Sequence, residues 1–122
     1  MKTARELKDE YKKMKFRMGV FRIRNIKNDK CFIGSSQDLD AAWNSQRFQL
    51  EAGLHSNEEL QNDWAILGAE NFVYEVLDEL QADDDLSTDY TKELKALEEL
   101  VIEELQPFGE KGYNRRKRQP TY

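Results

Sequence analysis

Residues 18–34 constrain this chain more than any other stretch. Met18, Val20, Phe21, Ile23 and Ile26 interleave with Arg22 and Arg24, just after Arg17, which suits a half-buried strand. Asn28-Asp29 is a turn pair, and Cys31-Phe32-Ile33-Gly34 supplies a returning strand. The spacing predicts a β-hairpin. Each strand carries a glycine–aliphatic–aromatic triplet, Gly19-Val20-Phe21 and the reversed Phe32-Ile33-Gly34, with ten residues between them. Two strands alone are marginal in water, so the remaining chain must cover the hairpin.

That cover is legible as helices and one further strand. Thr3 to about Lys15 reads as a short helix, with Leu7, Tyr11 and Met14 on one face and Thr3 before Glu6 as a capping box. Ser36 or Asp38 caps a helix that runs to about Leu50 or Ala52 and stops at Gly53. Its apolar face holds Leu39, Trp43 and Leu50, with Ala42 and Phe48 near the edges. Ser56 or Asn57 caps a second helix carrying Leu60, Trp64 and Leu67 and ending at Gly68. Phe72 to Leu77 is a strand, and Gln81 to Asp89 an acidic loop. A last helix from about Asp89 to Gln106 lines up Leu94, Leu97, Val101 and Leu105 before Pro107 ends it. The expected fold is α+β: a small three-stranded antiparallel sheet flanked by helices.

At 122 residues the chain fits one domain, divided here into an N-terminal helix (1–16), a central domain (17–114) and a basic tail (115–122). Nothing in the N-terminal stretch reads as a secretory signal, and no apolar run reaches membrane-spanning length. A single cysteine, Cys31, excludes an intrachain disulfide, and a reduced, cytoplasmic setting is expected. Net charge is −5, yet residues 1–18 and 107–122 are each +4, which leaves about −13 in between. Basic ends on an acidic body suit local phosphate contact or simple solvation.

The triplets and their downstream neighbours resemble the GIY-YIG nuclease family, with both tyrosines replaced by phenylalanine. Ser35-Ser36-Gln37-Asp38-Leu39 continues the second triplet as in that family. The segment from His55 to Trp64, then Gly68 to Phe72, then Glu98 to Ile102 leading to Pro107 and Gly112-Tyr113-Asn114, keeps the family's order. The resemblance covers roughly residues 17–114 and implies the family fold.

The resemblance also implies a catalytic set. The family's two tyrosines fall on Phe21 and Phe32, which have no phenolic oxygen to accept a proton or orient water. Its arginine falls on Ala42, eight residues after Gly34, and its histidine on Gln46. Alanine cannot bridge a phosphate, and glutamine cannot shuttle a proton near neutral pH. Arg47 is next to Gln46 but lies about 140° round the helix from Ala42. Glu98 matches the family's metal-holding glutamate and Asn114 its closing asparagine, so Glu98 is the candidate ligand for Mg²⁺ or Mn²⁺ if the chain is active. His55, the only histidine, is expected to make a structural hydrogen bond.

The expected function is therefore that of a nuclease-superfamily protein without standard phosphodiesterase activity that retains nucleic-acid binding, with DNA the expected partner. Arg17, Arg22, Arg24, Lys27, Lys30, Arg47, Arg115, Arg116, Lys117 and Arg118 are the candidate phosphate contacts. The alternatives are a divergent metal-dependent endonuclease and a protein-interaction module on the same scaffold. No small-molecule cofactor motif and no second DNA-recognition module is read within these residues.

Overall fold

The computed structural model describes residue 3, residues 17–81 and residues 89–115. The helix expected over 3–15, the Asp83-Asp84-Asp85 stretch and Arg116, Lys117 and Arg118 lie outside the described residues.

Strand β1 (Met18–Asn25) is the centre of a three-stranded antiparallel sheet, flanked by β2 (Cys31–Ser36) and β3 (Phe72–Leu80). The hairpin register sets Phe21 opposite Gly34, so the two triplets meet end to end across the ladder, with Gly19 and Val20 opposite Ser36 and Ser35 and Ile23 opposite Phe32. Asp29 takes a positive φ of 61° in the turn, a conformation Asp tolerates better than most residues. β3 is three residues longer than its apolar run. Asp78, Glu79 and Leu80 pair with Val20, Gly19 and Met18 beyond an irregularity at Val20/Phe21. The sequence pattern assigns these three residues to neither strand nor loop; in the sheet Asp78 and Glu79 lie at its exposed end.

Successive strand residues point to opposite faces. On one face Phe21, Ile23 and Phe72 pack with Leu39 and Leu50 of α1 (Leu39–Ala52) and Leu60 and Trp64 of α2 (Glu58–Leu67). On the other, Val20 and Ile33 pack against Val101, Leu97 and Ile102 of α3 (Thr91–Leu105). The edge strand β2 is therefore sandwiched between α1 and α3, and both helices reach the same side of the molecule.

Local chemistry fixes the helix ends. Asp38 caps α1 by accepting from the Ala41 N–H at 3.1 Å, and Asn57 caps α2 by accepting from the Leu60 N–H at 3.0 Å. Gly53 ends α1 with φ 75°, its N–H and that of Leu54 reaching back to Leu50 and Gln49. Asp89 accepts from the Thr91 N–H ahead of α3, and Gln106 in a left-handed conformation closes it before Pro107. Phe48 does not join the core. It is 69% exposed because it follows Trp43 by five positions, about 140° round α1.

Candidate active site and nucleic-acid interface

Phe21 is a core residue that also lines a surface cavity. It is 2% exposed, and its ring lies so close to Gly34 that a β-carbon there would sit 2.7 Å from Cζ. The second triplet thus needs glycine to admit the aromatic of the first. A cavity of about 260 Å³ opens beyond, lined by Phe21, Ser35, Ser36, Asp38, Ala41, Ala42, Ser45 and Gln46. Phe21 and Ala42, predicted as neighbours in a catalytic set, are brought together here without a phenol or a guanidinium.

Gln46 turns to the protein. His55 accepts the Asn57 N–H at Nδ1, 3.0 Å away, so its ring proton is on Nε2 and donates to Gln46 Oε1 at 2.5 Å. Phe32 packs edge-on to the same imidazole, with ring centroids 5.3 Å apart. His55 is thus a structural pin between α1 and the loop before α2, as expected from its position. Burial lowers its pKa from the ordinary value. A lowered pKa makes His55 stabilising above the unfolded-state value near ~6.5, and that contribution is lost as pH falls through the folded value. Thermal melts should therefore drop on acidification below about pH 6.5, and the drop should be shallower in His55→Gln. Parallel pH profiles of the two proteins would exclude this role.

The α3 side of β2 carries Glu98 and Asn114. The Ser35 hydroxyl donates to Glu98 Oε2 at 2.7 Å, fixing the carboxylate over the strand edge. Nothing in the sequence marked Ser35 as this partner, because the two are 63 residues apart. Asn114 completes the edge of β2: it accepts from the Ile33 N–H at 2.8 Å and donates to the Ile33 carbonyl at 2.9 Å. Its amide acts as one more peptide unit on an open strand, beside a Cys31–Gly112 bridge. Tyr113 next to it is buried. Its hydroxyl donates to Asp63 at 2.6 Å and accepts from the fully buried Asn25 at 2.9 Å. Burial, then Asp63, pushes the phenol's pKa well up.

One half-buried carboxylate with a hydroxyl neighbour fits a Mg²⁺ or Mn²⁺ that keeps most of its waters and takes other ligands from a substrate phosphate. Among the described residues no three His, Cys, Asp or Glu side chains form a metal-holding group. Cys31 is half-buried, and burial raises its thiol pKa.

Apart from Lys27, the hairpin cations are engaged with the protein's own carboxylates. Arg22 and Arg24 both bond Glu75, at 3.2 and 2.9 Å, and together hold its pKa below the carboxylate range. Arg17 meets Glu79 and Asp40, Lys30 meets Glu59 at 2.6 Å, and Arg47 meets Glu51 within α1 at 3.2 Å. Lys27 and Arg115 make no ion pair among the described residues.

A three-stranded antiparallel sheet with helices on both faces, triplets that meet at Phe21 and Gly34 on its hairpin and a glutamate held over the second strand define the chain's class: its fold and sequence are similar to those of the GIY-YIG nuclease family. Among solved structures it is similar to the catalytic domain of the homing endonuclease I-TevI, with a TM-score of 0.68 and 28% identity over 82% of this chain and 99% of that one. A glutamate-to-alanine variant of that domain matches with a TM-score of 0.66 and 28% identity, over 81% of this chain and 93% of the other. Intron-associated endonuclease 1 of Enterobacteria phage T4 is 32% identical over 68 residues, 56% of this chain. The match spans only 27% of that endonuclease's length. No protein-family model matches the chain. Among the described residues no helix is long and apolar enough to cross a membrane.

Proposed function

We propose that this chain is a GIY-YIG-fold domain that no longer performs standard phosphodiester cleavage and that binds nucleic acid, DNA first, in a cytoplasmic setting. The observation that carries this reading is the cavity beside Ser35. Its lining of Phe21, Ala42, Gln46, Asp38 and serines contains no cation, and the amide oxygen of Gln46 is already taken by His55. Cleavage needs an activated water and charge stabilisation at the phosphate, and neither a phenol nor a guanidinium is there to give them.

A divalent cation on Glu98 would supply charge neutralisation and polarise a phosphate when bound. Glu98 itself, held by Ser35, is what favours the second reading, a divergent metal-dependent endonuclease. The endonuclease names of the similar proteins support DNA as the substrate class on either reading.

A titration of labelled duplex in chelator tests the binding half of the proposal. Affinity should fall linearly in log–log form with salt, with a slope of about −0.9 for each phosphate neutralised. A protein that leaves the duplex free at low salt would refute nucleic-acid binding and favour a protein partner.

A further inference from the structure

We propose that residues 1–16 dock an apolar stripe into the groove between α3 and the end of β3, where an acidic rim holds their lysines. The groove, of about 480 Å³, is lined by Asp78, Leu97, Leu100, Val101, Glu103 and Glu104. It opens toward β3, whereas Ser35 and Glu98 meet over β2, on the other side of β1. Leu100 is 62% exposed in it. Asp78, Glu103 and Glu104 make no ion pair among the described residues, and α3 has no cation after Lys95. The last turn of α3 also carries the negative end of the helix dipole, with no basic residue to offset it. An apolar floor under uncompensated carboxylates fits an amphipathic helix with a basic flank.

The chain's own first residues have that chemistry. On the helix expected over 3–15, Leu7, Tyr11 and Met14 recur at spacings of four and three. They span seven positions, about 10 Å, as do Leu97 and Glu104 along α3. Lys8, Lys12 and Lys15 repeat the same spacing one position on, about 100° round, so they flank the stripe. Residues 1–16 hold six Lys and Arg against three Asp and Glu, the opposite sign to the rim. The point of attachment also fits. Met18 pairs with Leu80 and Val20 with Asp78, so the segment joins the sheet two residues, about 7 Å, from the rim. Val20 packs with Val101 and Leu97, so this end of β1 abuts the groove. A segment tethered that closely is present at roughly millimolar effective concentration, which favours it over a basic helix from another molecule.

The test is disulfide trapping in the full chain, in a Cys31→Ser background, under mild oxidation at low protein concentration. Tyr11→Cys is paired with Leu100→Cys, an exposed position whose change leaves the buried core intact. A disulfide needs α-carbons about 4.4–6.8 Å apart, so it reports direct packing. Asp9→Cys with Leu100→Cys is the first control, because Asp9 lies two positions from Tyr11, about 200° round the helix. Tyr11→Cys with Phe48→Cys is the second, because Phe48 is 69% exposed on α1, across the sheet from α3. The 11–100 disulfide should form within one chain and roughly tenfold faster than either control. Glu103→Lys with Glu104→Lys should slow it several-fold, and adding Lys8→Glu with Lys12→Glu should restore the rate. Equal rates for the 11–100 pair and the controls would overturn the docking. A disulfide found only between two chains would overturn it in favour of a second copy as the occupant. A charge reversal without effect on the rate would remove the acidic rim from the account. None of these outcomes depends on whether the protein binds nucleic acid.

Discussion

Gly19→Ala is expected to lower the melting temperature by roughly 10 °C or more, beyond the usual cost of an added methyl group. A β-carbon on Gly19 would lie 2.0 Å from the Asp78 carbonyl oxygen and 2.8 Å from the Glu79 α-carbon. Those atoms are backbone on the neighbouring strand, so no side-chain rotation relieves the overlap. β3 must move away from β1 at the point where the ladder is already irregular. Gly53→Ala is the comparison: its β-carbon would meet nothing within 4 Å, and only the φ of 75° resists it, at about 1–2 kcal/mol. Urea or thermal unfolding of the two variants separates steric exclusion from backbone strain. A Gly19→Ala protein as stable as Gly53→Ala would refute the packing account of the first triplet. Gly34 is in a milder position, because the clashing group is the edge of the Phe21 ring.

The elements that could be read from the sequence are those with local causes. The hairpin stems from alternation and a turn pair, and the caps at Asp38 and Asn57 act within three residues. What escaped depends on contacts between distant segments. Glu75 sits on a strand about fifty residues from Arg22 and Arg24, so the hairpin arginines read as free cations. The Asn25–Tyr113–Asp63 chain joins three elements that share no sequence pattern. Asn114 was legible as a matching residue, while its use as a surrogate peptide for Ile33 needed the edge of β2. Ala42 and Gln46 were legible as substitutions from the family set. Gln46's bond to His55, by contrast, depends on the loop before α2 folding back on α1.

Restoring single groups is expected to leave the protein inactive. Phe21 and Ala42 line one cavity, so Phe21→Tyr and Ala42→Arg would add a phenol and a guanidinium to its wall. Removing one well-placed charge-stabilising donor typically costs ~10²–10³ in rate. Such groups act as a unit, so adding two back does not recover the product of their contributions. In the double variant Phe32 still has no hydroxyl, and Gln46 stays bonded to His55 with no proton to shuttle. The double variant should therefore nick DNA no faster than the wild type.

The protein is proposed to keep the fold and Glu98 while the cleavage chemistry is gone. Supercoiled plasmid incubated with the purified protein in Mg²⁺ or Mn²⁺, beside chelator controls and Glu98→Ala, tests this most directly. The plasmid should stay supercoiled in every lane, for wild type and for Phe21→Tyr with Ala42→Arg alike. Metal-dependent nicking by the wild type that disappears in Glu98→Ala would contradict it and establish a working nuclease built without the family's phenols and arginine.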